Sequence, residues 1–270
     1  MQRTAFKVIA IVAGSLALLV TKTQAAFYET NKSLASSQWF VDIGIGKSYD
    51  YGSSNVPVPL TGSTEYMLFQ TNQAAAPPFF SATIGHLWAL QTNYLPFISM
   101  GLQYHYTTPI VMSGFIYEIM PNNTIDPEHS YFSRYQIKQQ SCSIVTKMDL
   151  YRWQNFMPYF SLGLGASWNR INQFSTTAFD LEPTQPVEFF AAKKTSSDFT
   201  YSLGIGIDYV VNSNLWLSLG YSYDNFGKNE IGQLLMYTGI ADPITPIDAF
   251  VKNANLHAHN ILFSARYLFD

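Results

Sequence analysis

A chain of 270 residues with only 12% charged residues but 16% aromatics has too little charge to clothe a water-soluble domain of its size, since about a quarter of an average soluble chain is charged. A formal charge of −3 excludes the basic footprint of a nucleic-acid binder. The single cysteine, Cys142, excludes an intramolecular disulfide framework.

In chain order, Arg3 and Lys7 come first, then an apolar run from Val8 to Val20 broken by Gly14 and Ser15, then a polar stretch ending at Ala25 and Ala26. A charged start, a short apolar run and small residues at a cut are the parts of a secretory signal peptide. The run is shorter than the ~20 residues of a membrane-spanning helix. The expected division is a cleaved signal over 1–25, a short periplasmic segment over 26–38 and a barrel domain over 39–270. Arg3, Lys7 and Lys22 leave with the signal and no acid does, so the mature chain carries about −6. No later stretch is apolar for long enough to be a spanning helix, which excludes a helical inner-membrane protein.

From Trp39 onward a period of two recurs, with apolar or aromatic residues alternating with glycine, serine or polar ones, as in strands with two different faces. Eight such segments stand at 39–48, 80–85, 98–106, 141–150, 160–168, 201–209, 215–224 and 260–269. Trp39, Val41, Ile43 and Ile45 share one face of the first, for example, and Asp42, Gly44, Gly46 and Ser48 the other.

The links alternate strictly. Short ones lie at Ala89–Asn93, Arg152–Met157 and Val211–Asn214; long ones span 50–78, 107–133, 169–198 and 225–256. A soluble sandwich has no reason to sort its loops in this way, whereas outer-membrane barrels have short periplasmic turns and long extracellular loops. The predicted fold is all-β: an eight-stranded antiparallel up-and-down transmembrane β-barrel with four long extracellular loops.

In hydrocarbon every backbone polar group must be paired, and a closed barrel with its apolar face outward achieves that. Aromatics should then gather at both interfaces. Trp39, Trp88, Tyr94, Tyr151, Trp153, Tyr209 and Phe269 lie near the short-turn ends, and Tyr49, Phe80, Tyr104, Tyr106, Trp168, Tyr201, Tyr221 and Tyr223 towards the loop ends.

The last segment, Asn260-Ile-Leu-Phe-Ser-Ala-Arg-Tyr-Leu-Phe269, resembles the C-terminal strand recognised by the outer-membrane assembly machinery. Tyr267 and Phe269 fit that signal; Asp270 follows where the motif usually ends, and Ser264 and Ala265 replace its internal glycine. Over residues 39–269 the pattern resembles the eight-stranded surface barrels of Gram-negative bacteria, the group containing the OmpA transmembrane domain, OmpW and the opacity proteins. The resemblance implies a monomer in the outer membrane, with outer-membrane lipids, lipopolysaccharide and the assembly machinery as partners.

Asp42, Lys147, Asp149, Asp208 and Arg266 fall on the inner face near the periplasmic strand ends. Closing the barrel pairs the first strand with the last, so Asp42 and Arg266 are expected to meet across the seam. These charges read either as a buried ion-pair network, since buried charges are usually paired, or as a proton or ion pathway. Glycines 44, 46, 85, 101, 163, 165, 204, 206 and 220 also point inward. They either relieve crowding or leave a narrow cavity.

His257 and His259 share a strand face without a third metal ligand. No His-x-Ser spacing, G-x-S-x-G elbow or zinc-type spacing occurs. No enzyme activity and no cofactor are therefore expected. The four long links hold twelve acids and five bases, an acidic outer surface suited to a host or cell-surface ligand or to divalent cations bridging to lipopolysaccharide. Two functions are open: a non-enzymatic surface barrel for envelope integrity and external contact, or a narrow passive channel for small or hydrophobic solutes.

Overall fold

The structure, a computed structural model, describes residues 37–51, 55–59, 66–71, 76–90, 92, 94–119, 125–178, 188–191, 193–230, 234–237, 245–247 and 252–269. The expected signal over 1–25 lies outside the described residues, as does nearly all of the segment 26–38. Strands in chain order are β1 (Gln38–Tyr51), β2 (Asn55–Pro59), β3 (Tyr66–Thr71), β4 (Pro78–Ala89), β5 (Phe97–Ile119), β6 (Ile125–Asp149), β7 (Phe156–Ala178), β8 (Glu188–Ala191), β9 (Lys194–Val210), β10 (Leu215–Glu230), β11 (Leu234–Tyr237), β12 (Thr245–Ile247) and β13 (Lys252–Phe269).

Eight of these close a ring. β1 pairs β4, β4 pairs β5, and pairing continues through β6, β7, β9, β10 and β13, all antiparallel. β13 returns to β1 from Trp39↔Phe269 to Tyr51↔His257. No strand of the ring is left with an open edge, which is what hydrocarbon requires.

The faces follow the sequence alternation. Ile43, Ile84, Leu102, Ile144, Leu164, Ile205, Leu219 and Phe263 are exposed outward, while Ser81, Ser99, Ser141, Ser143, Ser167, Ser218 and Ser264 are buried inside. A polar interior under an apolar coat is the inverse of a soluble barrel and suits lipid. Aromatics ring the coat at both ends, with Trp39, Trp88, Tyr151, Trp153 and Phe269 below and Tyr49, Tyr104, Trp168, Tyr201 and Tyr221 above. Tyr209 departs from this expectation. It is buried at 6% exposure, because the β6–β7 turn folds beneath it: Val210 N donates to Asn155 O at 2.8 Å, and the Tyr209 ring lies 5.0 Å from that of Phe156.

The short links are tight. Leu90 N donates to Pro96 O at 2.9 Å. Trp153 and Phe156 exchange two backbone bonds across Gln154, whose φ is 55°. Asn212 Oδ1 accepts from the backbone N–H groups of Asn214 and Leu215 at 2.9 and 2.8 Å, an Asx turn.

The long links differ from the four plain loops expected. β5 and β6 run 23 and 25 residues and carry the stretch 107–133 upward as a paired hairpin. β7 likewise continues to Ala178, and β10 to Glu230. β2 and β3 add to one side of the hairpin, and β8, β11 and β12 extend the sheet from β7. The stretch at 231–237 contributes β11; its first three residues lie outside the described residues.

Five register shifts lie in these extensions, and three of them stand just above the regular ring. Thr108 and Pro109 together oppose Lys138 alone, between Thr107↔Gln139 and Ile110↔Ile137. Proline lacks the N–H that regular pairing uses, and a bulge accommodates it. A second irregularity lies between Arg134 and Gln136, and a third between Asn225 and Gly227. The first re-phases β5 and the second re-phases β7, so that Ile110 and Phe174 turn into the interior, while Phe226 keeps the inward phase of Trp216 and Asp224 and is itself the extra residue of the third.

Candidate functional site

The interior is stacked in layers. At the short-turn end, Phe40, Leu87, Phe97, Met157, Val210, Trp216 and Leu268 form an apolar cluster, with Phe97 edge-on to Trp216 at 5.2 Å. These residues come from seven of the eight ring strands and shut the lower mouth.

Directly above lie the expected charges. Lys147 Nζ is 2.6 Å from Asp208 Oδ1, donates to Ser218 Oγ at 3.3 Å and lies 3.7 Å from the centre of the Tyr159 ring. Ser218 donates to the same Asp208 oxygen. Across the lumen, Arg266 Nε is 3.2 Å from Asp42 Oδ2, another guanidinium nitrogen is 3.4 Å from Ser99 Oγ, and its Cζ stands 4.4 Å over the Phe40 ring. Asp42 and Arg266 are register partners across the closing seam. Asp149 is fully buried, and neither of its oxygens has a hydrogen-bond partner among the described residues. Lys147–Asp208 and Arg266–Asp42 are thus the two ion pairs that the structure forms from the five charges, and Asp149 stands apart from both.

Two neighbouring cavities share Gln103, Val145, Tyr159, Ser161 and Leu262 in their walls: one of about 70 Å³ is bounded by Asp42, Lys147 and Arg266 themselves, and one of about 60 Å³ lies above it. Each has room for only a few waters and is far below the ~300 Å³ at which small-molecule pockets begin. The inward glycines explain the small size. A Cβ on Gly220 would land on the Tyr159 hydroxyl, one on Gly46 on the Phe79 ring, and one on Gly85 would lie 2.8 Å from Phe40 Cζ. At these three, rings fill the space that the glycine vacates.

The upper limit is aromatic. His105 stacks on Phe79 at 4.6 Å and 13°, lies 5.6 Å from Phe226, and hydrogen-bonds Thr107 Oγ1 at 3.1 Å. Phe226 is held by its carbonyl, which accepts from Ser167 Oγ at 2.6 Å and Asn169 Nδ2 at 2.9 Å. Beyond it Ile110, Met112, Ile137, Ile171, Leu256 and Ala258 are buried. Sequence alternation does not reveal this layer, because its residues lie mostly in the stretches that read as loops.

Of the other residues singled out, Tyr267 and Phe269 lie outward on β13 beside Val41 and Trp39 of β1. His257 and His259 face outward against Tyr221 and Tyr223. Among the described residues no group of three metal-ligating side chains occurs.

Residues 67–269 match the family model for the outer membrane protein beta-barrel domain. No curated protein matches the chain. Among solved structures, the outer membrane protein OprG from Pseudomonas aeruginosa is 13% identical over 85% of this chain and 96% of its own, with a TM-score of 0.46. Neisserial surface protein A is 12% identical over 87% and 99%, at 0.39. The outer membrane protease OmpT from Escherichia coli is 10% identical over 86% and 97%, at 0.40.

Proposed function

The chain belongs to the outer membrane protein beta-barrel domain family and spans the outer membrane of a Gram-negative bacterium; from that premise we propose that it serves as a closed, non-enzymatic surface barrel that supports the envelope and makes external contact through its upper sheet. The observation that carries this reading is the lumen. An apolar cluster around Trp216 fills one end and the Phe79–His105–Phe226 layer the other, and two cross-strand ion pairs lie between them. A passage for solutes would have to disrupt all three.

The charged groups around Lys147 and Arg266 lie between those layers, which favours a non-enzymatic role, since they stand apart from the outer mouth. Upward continuation of β5 and β6 favours a contact role, because a paired hairpin presents recognition residues on a rigid support. Export by the general secretory route, reading of Tyr267 and Phe269 by the assembly machinery, and action as a monomer belong to the same proposal. The channel alternative has the two cavities in its favour.

The test compares cells displaying the full chain with cells displaying a version in which Gly114 is joined to Ser133 by an Asn-Gly turn, which removes the top of the hairpin and keeps Arg134 and Lys138. Surface level and heat-modifiable migration certify that both barrels fold. The proposal expects lower autoaggregation and lower attachment to epithelial monolayers for the shortened barrel, with unchanged resistance to detergent. Equal attachment by both would remove the contact role.

A further inference from the structure

Arg134 and Lys138 of β6 and Arg170 of β7 all point away from the lumen, since their strand neighbours Ser133, Ile137, Gln139, Asn169 and Ile171 are buried inside. Lys138 and Arg170 are direct register partners, which places their Cβ atoms about 5 Å apart. Like charges so placed repel and destabilise a sheet. Nothing among the described residues neutralises them. Outward neighbours are Thr108, Pro109, Gln136, Gln140, Trp168, Asn172 and Thr195, none of them acidic. The Arg170 Nε is shielded from water and has no hydrogen-bond partner among the described residues, an arrangement that normally calls for a ligand or a water.

Height on the barrel identifies the missing anion. Trp168 is the next outward residue below Arg170 on β7 and belongs to the upper aromatic ring, which marks the edge of the hydrocarbon. The basic group therefore begins one outward step above that edge, at the level of outer-leaflet head groups. A guanidinium binds phosphate through two parallel N–H donors, and a lysine adds a point charge.

We propose that Arg134, Lys138 and Arg170 form a binding site for the sugar phosphates of the phosphorylated glycolipid in the outer leaflet, with Lys138 and Arg170 sharing one phosphate and Arg134 reaching a second anionic group above it. The site rests on the placement of the barrel in the outer membrane and not on the contact role of the upper hairpin.

The experiment uses the full refolded chain in detergent micelles, titrated with bisphosphorylated lipid A, the same lipid stripped of phosphate, phosphatidylglycerol and inorganic phosphate, with bound lipid counted by native mass spectrometry. Saturable binding of lipid A is expected, weakened about tenfold or more in the folded K138Q/R170Q double variant. Lys47→Gln, which removes an isolated outward lysine on β1, is expected to bind as the parent does. Phosphate-free lipid A should bind the parent as weakly as lipid A binds the double variant, an arm that needs no variant to fold. Unchanged affinity in the folded double variant, or equal affinity for the phosphate-free lipid, would overturn the site. Equal displacement by phosphatidylglycerol or inorganic phosphate would overturn its assignment to the glycolipid. None of these outcomes bears on attachment through the upper hairpin.

Discussion

Lys147 of β6 and Asp208 of β9 meet at 2.6 Å across the intervening strand β7, with side chains 9% and 0% exposed. A buried pair of this kind costs most when it is halved, because the remaining charge has no water and no partner. Lys147→Met should lower stability by about 3–5 kcal/mol, read as a shift in urea unfolding of the lipid-embedded barrel. The double variant K147M/D208L should recover most of that loss. A single variant as stable as the parent would show that water reaches this layer.

Gly220 and Tyr159 should compensate for one another. A Cβ at Gly220 coincides with the Tyr159 hydroxyl and presses less severely on its Cζ at 3.3 Å. Gly220→Ala should therefore cost about 1–3 kcal/mol by overpacking, and adding Tyr159→Phe should restore part of it. The same unfolding experiment reads both variants, and an additive result would contradict the packing described.

Gly227 is held at φ +72° with a built Cβ only 2.5 Å from Asp198 Cβ. Asp198 accepts from Lys228 N at 2.7 Å, so the bulge and the carboxylate are one unit. Gly227→Ala should lose about 1–2 kcal/mol from the left-handed backbone alone, with more from the clash. Hydrogen exchange should rise at Phe226 and its neighbours before it rises in the lower strands.

The outer face should resist charge according to depth. Ile205→Arg, placed on an apolar outward position at 59% exposure, should cost about 2–4 kcal/mol near the bilayer midplane. Tyr49→Arg, in the upper aromatic ring of β1 and away from the basic group on β6 and β7, should cost about 1 kcal/mol or less by the same depth rule. Equal costs would contradict the membrane placement.

How far the sequence can be read depends on unbroken alternation. Between the short turns and the upper aromatic ring every strand keeps its period, so alternation and barrel closure together set Asp42 opposite Arg266. Above that ring the bulges at Thr108–Pro109 of β5, opposite Tyr135 in β7, and at Phe226 of β10 shift the period of those strands by one residue. A strand crossing a bulge looks like two fragments with a loop between them, which is why 107–133 reads as a link. Lys138 and Arg170 escape notice differently: their strands keep an unbroken period at that height, but both residues fall outside the eight alternating segments. The lower plug is hidden differently: Phe40, Leu87 and Trp216 are apolar residues on the face expected to be polar. Their common signal is that both faces become apolar near the short turns. Pairing of Lys147 with Asp208, rather than with its near neighbour Asp149, depends on the register of three successive strands, and no local pattern carries that.

The closed lumen is the central claim, and planar-bilayer conductance of the refolded mature barrel tests it most directly, after heat-modifiable migration has certified folding. The parent should leave the bilayer silent across a wide voltage range, whereas removing both lids with Trp216→Ala and Phe226→Ala should produce openings. Steady, reproducible openings from the parent itself would contradict the account and restore the narrow channel.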